Sequence, residues 1–235
     1  MRGHLRPIAV AKLRNFDIHM WEPWLETFAS SVHSKGGPLK RCIGFIDGTF
    51  RPISRPGKDG YRGPAQRGFY SGYKRNHGIQ FQGITVPNGI IAEMNGPCAG
   101  MLNDTIMLEK SKIVRRLKAM NARLGTHFYL FGDCGYQPQR YLLTPKPKTA
   151  RLQPWEKKFN RRMSKVRVSV EWMFGKVTNL WATVDFRKNL KLYKQPVGAI
   201  YLIAALLTNC HSCLYGNQAA RYFDVPTPDL EDYLS

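Results

Sequence analysis

Acidic residues are scarce in this chain: 16 Asp and Glu stand against 36 Lys and Arg among 235 residues, a net charge of +20. That deficit argues against an ordinary enzyme of neutral metabolites. It points to a polyanionic partner, and nucleic acid is the commonest one for such a chain, through phosphate neutralisation and counterion release. A ribosome-like binding protein and an anionic membrane surface are the alternatives on charge alone. Cysteine is also sparse. The five residues Cys42, Cys98, Cys134, Cys210 and Cys213 are odd in number and irregular in spacing, which excludes a regular disulfide framework. Cys210 and Cys213 have C-x-x-C spacing, but no second pair closes a tetrahedral zinc site, so they read as buried thiols. No signal peptide opens the sequence, and reduced thiols in an intracellular compartment are expected. Long hydrophobic runs are missing too: Val197 to Leu207 falls short of the about 20 apolar residues that a bilayer span needs, and reads as a core helix with no membrane partner. There is no internal repeat.

What is present begins with enough apolar sequence, 43%, for one sizeable core. Two strand-like runs end on an aspartate followed by glycine or cysteine-glycine: Cys42-Ile43-Gly44-Phe45-Ile46-Asp47-Gly48 and His127-Phe128-Tyr129-Leu130-Phe131-Gly132-Asp133-Cys134-Gly135. Each predicts a carboxylate held at the rim of the core by a rigid element. Gly78 to Val86 alternates as a strand, Pro87-Asn88-Gly89 turns it, and Ile90 to Met94 returns as the hairpin partner. With the Cys42 strand these predict an antiparallel unit. Asn103-Asp104-Thr105 reads as a helix start, followed by Ile106, Ile113, Leu117, Met120 and Leu124 at helical spacing and stopped by Gly125. A helix between two strands favours a parallel neighbour. Tyr141-Leu142-Leu143-Thr144 reads as one more short strand, closed by Pro145 and Pro147, and Ala182 to Tyr193 as a strand or an irregular basic return.

Basic residues concentrate in three places. Residues 1–15 read as a frayed arm or as the remnant of a longer N-terminal region. Arg51 to Gly72 carries Arg51, Arg55, Lys58, Arg62 and Arg67 between Tyr61, Phe69 and Tyr70, a mixture that suits either a backbone-tracking surface or a solvated loop. Residues 140–167 are the most basic and run into a strongly periodic helix with Val166, Val170, Met173, Phe174, Val177 and Trp181 on one face. At about 100° per residue, Glu171 lies on the flank of that stripe. Arg167, one turn earlier, can pair with Glu171 or hold a phosphate nearby.

Asp47, Asp133 and Glu171 are far apart in sequence, yet each ends or flanks a core element. Phosphodiester cleavage by two hard divalent ions about 4 Å apart needs such oxygen ligands, and three carboxylates without a His/Cys cage suit Mg2+ better than zinc. Singly, each has a plainer explanation: a turn for Asp47 and Asp133, a surface pair with Arg167 for Glu171, a helix cap for Asp104.

Asp47-Gly48-Thr49, Gly132-Asp133-Cys134-Gly135-Tyr136 and Arg167-Val168-Ser169-Val170-Glu171 together resemble the DDE motifs of Harbinger-type transposases and their domesticated nuclease relatives. Tyr73-Lys74-Arg75-Asn76-His77-Gly78, Pro87-Asn88-Gly89, Phe159-Asn160 and Leu207-Thr208-Asn209 add to the resemblance, which covers about residues 40–212. It implies an α/β, RNase H-like mixed sheet flanked by helices, with antiparallel hairpin strands and parallel strands. It implies divalent-metal-dependent DNA endonuclease or transposase chemistry, strand transfer by a freed 3′-hydroxyl included. By matching position, Asp47, Asp133 and Glu171 would be the catalytic carboxylates, holding two Mg2+ or Mn2+ ions. Asp104 matches an additional acidic position that would serve the metal. Asn103 and Phe50 depart from histidines frequent in the family. Lys74, Arg75, Lys157, Lys158, Arg161, Arg162, Lys165 and Arg167 are the expected DNA-binding residues. The domains expected are a basic arm and helix (1–39), a catalytic domain (40–215) and a polar tail (216–235). No helix-turn-helix or zinc finger is read ahead of the first motif; the resemblance then implies either a truncated element or target choice by a Myb-like partner protein. Nuclear localisation and a homo-oligomer are further expectations, and a catalytically silent DNA-binding module of the same fold is the alternative function.

Overall fold

The computed structural model describes residues 2–14, 18–57, 64–147, 151–185, 190–192 and 194–235. Lys58, Tyr61 and Arg62 of the interleaved basic segment, Lys148, and part of the 182–193 return lie outside the described residues. In chain order the elements are helices α1 (Arg2–Arg14), α2 (Ile18–Trp21) and α3 (Leu25–Ser34), strand β1 (Cys42–Pro52), helix α4 (Pro64–Gly68), then strands β2 (Tyr70–Ser71), β3 (Asn76–Thr85) and β4 (Ile91–Ala99). Helices α5 (Asp104–Ser111) and α6 (Ile113–Leu124) lead to strands β5 (Tyr129–Phe131) and β6 (Leu142–Leu143). Helices α7 (Pro154–Leu180), α8 (Val197–Tyr215), α9 (Gln218–Phe223) and α10 (Leu230–Leu234) close the chain.

The strands form one mixed sheet. β3 lies antiparallel to β1, with Asp47 opposite Gly83 and Gly48 opposite Gln82, and the β3–β4 hairpin extends that side. On the other side β1 runs parallel to β5, and β5 parallel to β6. The antiparallel unit and the parallel neighbour are those expected, and the architecture is the α/β, RNase H-like mixed sheet flanked by helices. The Cys42–Ile46 run is buried at every residue, which a strand covered on both faces requires. One expectation is corrected. The Asp47-Gly48 step does not end β1, because Thr49 to Pro52 go on pairing with β3.

Several elements differ from the sequence reading. The supposed frayed arm is the helix α1, packed against α8 and β4, with Ala9 and Leu13, one turn apart, fully buried. The single helix expected from Asn103 to Leu124 is two, broken at Lys112, whose φ of 56° is left-handed. Arg116 donates to the Ser111 carbonyl at the break, supplying from a side chain a bond that the helix gives up. Between Ala182 and Val184 the chain forms a 3-10 turn, not a strand. The apolar run at Val197 continues to Tyr215; at 19 residues α8 is long and apolar enough to cross a membrane by length and composition, yet half of it is buried inside the fold. The last twenty residues fold as α9 and α10, burying Ala219, Phe223, Val225 and Tyr233.

Candidate active site

The register of two parallel strands positions the first pair of carboxylates. Phe45 pairs with Phe131, so Asp47, two residues on in β1, and Asp133, two residues past the end of β5, come close enough for the Asp133 charge to raise the pKa of Asp47. β5 ends at Phe131, and the chain turns through Asp133 with the Gly135 N–H donating to Asp133 Oδ1 at 2.9 Å. Asp47 Oδ1 accepts from the Gly48 N–H at 2.9 Å. Each carboxylate is thus oriented by the backbone next to it.

Asp104 is the third member. Asn103 caps α5 by accepting from the Ile106 N–H at 2.9 Å, so Asp104 is not the cap but the first helical residue. Its carboxylate reaches back between two glycines. A Cβ on Gly48 would collide with Asp104 Oδ1, and one on Gly135 would stand 2.9 Å from Asp104 Oδ2 and 3.1 Å from Asp133 Oδ1. The Thr105 hydroxyl donates to the Gly135 carbonyl at 3.2 Å, tying α5 to the Asp133 turn. Crowding shows in the acidities. Burial pushes Asp47 up to about 6; Arg167 opposes this, the Asp133 charge raises it further, the Gly48 N–H lowers it and Asp104 adds a smaller rise. Asp104 is raised by burial and then by Asp133, with Lys74 opposing. Desolvation therefore outweighs the ion pair at Asp47.

Glu171 arrives from α7 by a different route. It is exposed, 57% by side chain, and joins the group through Arg167, whose Nη1 donates to Asp47 Oδ2 at 2.8 Å and whose Nη2 donates to Glu171 Oε1 at 3.3 Å. The carboxylates of Asp47 and Glu171 thus lie on two arms of one guanidinium. The helical phase that puts Glu171 beside the apolar stripe also aims Arg167, one turn away, at Asp47 in the middle of β1.

The other expected DNA contacts are dispersed. Lys74 and Arg75 are exposed in the turn before β3, Lys74 close enough to Asp104 to affect its charge. Lys157, Lys158, Arg161 and Lys165 are exposed along the first half of α7. Arg162 is partly buried and donates to the Gly36 carbonyl at 2.7 Å, a bond that holds α7 to the loop after α3.

Sequence reasoning missed the polar floor of the site. Gln82, buried in the central strand β3, donates to the Tyr136 hydroxyl at 3.2 Å and the Asp104 carbonyl at 3.4 Å, and its Oε1 has no partner. Tyr136 is buried beneath the carboxylates; its hydroxyl pKa is pushed well above the ordinary value by burial and then by the Asp104 charge. Nothing in the alternating strand sequence marked Gln82, because its burial follows from strands packed on both sides of β3.

By donor type these residues fit a hard divalent cation: oxygen ligands without nitrogen or sulfur, with Asp47 and Asp104 both raised by burial and by neighbouring carboxylates that a cation would offset. As placed they are not assembled around one. Among the described residues no three His, Cys, Asp or Glu side chains stand close enough to hold a metal ion, and the cation touching Asp47 is Arg167. No curated protein and no solved structure matches the chain. The DDE superfamily endonuclease family matches residues 46–209, which run from the strand bearing Asp47 through Asp104, Asp133 and Glu171 to Asn209 of α8, and the chain belongs to that family.

Proposed function

We propose that the chain is a divalent-metal-dependent DNA endonuclease or transposase catalytic domain of the Harbinger type, hydrolysing phosphodiester bonds and able to transfer a strand through a freed 3′-hydroxyl. DDE endonuclease domains generally use divalent metals. The observation that carries the reading is the parallel register that brings Asp133 close to Asp47, with the Asp104 carboxylate reaching between Gly48 and Gly135 and a basic protein around them. Asp47, Asp133 and Glu171 would hold two Mg2+ or Mn2+ ions, with Asp104 as an additional ligand. Such ions supply an activated nucleophile and stabilise the leaving oxygen. The chain's own groups do the rest. The Gly48 and Gly135 N–H groups fix the rotamers of Asp47 and Asp133, and Gln82 and Tyr136 close the site from below. Lys74, Arg75, Lys157, Lys158, Arg161 and Lys165 hold phosphates of the DNA. Arg162 contributes only the guanidinium nitrogens not committed to Gly36.

Nicking of supercoiled plasmid in Mg2+ or Mn2+, abolished by Asp47→Ala, is the expected result; equal nicking by that variant would discard the assignment. A catalytically silent DNA-binding module of the same fold is the second reading, favoured by the cluster's being bridged by arginine. It predicts salt-sensitive DNA binding with no metal-dependent nicking. A nuclear protein recruited to its target by a Myb-like partner, and acting as a homo-oligomer, completes the proposal.

A further inference from the structure

The cation at the acidic cluster is one that the chain supplies itself. Arg167 and Glu171 form an i,i+4 pair on α7, and an exposed pair of that kind contributes little. The other arm is different. Asp47 is largely buried, 17% exposed by side chain, and both its oxygens are engaged, Oδ1 by the Gly48 N–H and Oδ2 by Arg167. A second cation coming to Oδ2 meets the guanidinium already there. One guanidinium also leaves the group short of positive charge. Asp104 and Asp133 form no ion pair among the described residues, although each raises the charging cost of Asp47. Planar and monovalent, Arg167 reaches two carboxylates along its two arms, whereas a small divalent ion accepts oxygens from several directions. Glu171, exposed at the end of its pair, is free to swing once the guanidinium moves.

We propose that Arg167 is an exchangeable internal cation: it holds Asp47 and Glu171 in the metal-free protein and is displaced from Asp47 when a divalent ion enters, so that it sets the concentration at which the site loads. Released, the guanidinium lies beside the same cluster, where it can take a phosphate oxygen of the bound strand. This rests on the reading of the cluster as the metal site. The competing role is positioning, with Arg167 holding the carboxylates in the geometry that the metal needs.

Mn2+ binding to the full chain separates the two, measured by calorimetry and by the Mn2+-induced rise in melting temperature, without substrate. Arg167→Gln is expected to bind Mn2+ about tenfold more tightly than the wild type at low ionic strength, since a like charge has been removed from the ligand oxygen. Arg167→Lys, which keeps the charge on a single point donor, is expected between the two and serves if the glutamine variant does not fold. In the wild type, the side-chain Nε–H resonance of Arg167, assigned by its loss in Arg167→Lys, is expected to shift as Mg2+ is added. Binding by both variants that equals or falls below the wild type would overturn exchange and assign Arg167 a positioning role. Should Asp47→Asn bind Mn2+ as well as the wild type, or should the wild type bind none, the metal reading itself fails.

Discussion

Asp47 carries a penalty at neutral pH that its ion pair does not cancel. A carboxyl pushed from an ordinary 3.8 to about 6 corresponds to roughly 3 kcal/mol. The sign follows from proton binding. Between these values the folded state holds the proton and the unfolded chain does not, so this stabilisation is complete below about pH 4 and lost as the pH rises through about 6. Asp47→Asn should therefore melt at or above the wild-type temperature at pH 7.5, with the gap closing near pH 4; thermal melts of both proteins across that range check it. Gly135 makes a sharper point. Its backbone is not left-handed, so alanine is conformationally acceptable, yet the new methyl would press on the oxygens of Asp104 and Asp133. Gly135→Ala is expected to lose tenfold or more of metal-dependent nicking while losing about 1 kcal/mol or less in stability, checked by a cleavage time course beside urea denaturation. Asp47 and Asp133 were legible as single residues because an apolar run led to each. Gln82 was not, since one amide in an alternating strand looks like a solvent-facing position until the strand proves central.

At the scale of elements, α7 and α8 do different work. The apolar stripe of α7 could be traced from its periodicity, and with it the flank position of Glu171; Val166, Val170, Met173, Phe174 and Val177 are buried in the structure, while Trp181, counted in the stripe, is the half-buried residue that ends the helix. The role of α8 could not be traced that way. Asn209 accepts from the Ile91 N–H and donates to the Ile91 carbonyl, both at 2.9 Å, and donates to the Tyr233 hydroxyl at 2.8 Å. It completes the backbone of β4 at the start of that strand and fastens α10 to the same point. Asn209→Ala leaves a buried N–H and C=O unpaired and should lower the unfolding free energy by about 3 kcal/mol in urea, with the slope unchanged. The break at Lys112 was equally hidden. No glycine or proline marks it, and a side chain from the next turn, Arg116, makes up the bond.

For the whole molecule, the excess of positive charge predicts DNA affinity that falls steeply with salt. Exposed cations line more than one face. Besides the α7 residues, Lys112, Arg115, Lys118 and Arg140 surround one groove between α5, α6 and the loop before β6, with Glu109 the acidic residue there, and among the described residues none of the four is in an ion pair. Replacing Lys157, Lys158, Arg161 and Lys165 by alanine is expected to reduce the slope of log Kd against log salt by about 0.9 for each phosphate that is no longer neutralised, read from duplex binding between about 50 and 200 mM salt. An unchanged slope would move the DNA off that helix and make the α5–α6 groove the next surface to test.

The amino-acid sequence by itself determined the charge, the apolar runs that became the central strands, the hairpin, the phase of α7 and the residues that match a DDE nuclease. These are local matters: periodicity, turn chemistry and composition act over a few residues. Only the tertiary structure decided that β5 pairs with β1 in the register that sets Asp133 beside Asp47, that Asp104 reaches between Gly48 and Gly135, and that an arginine, rather than open space, separates Asp47 from Glu171. Register and burial depend on contacts between segments tens of residues apart, and the desolvation that raises Asp47 exists only once those segments have closed over it.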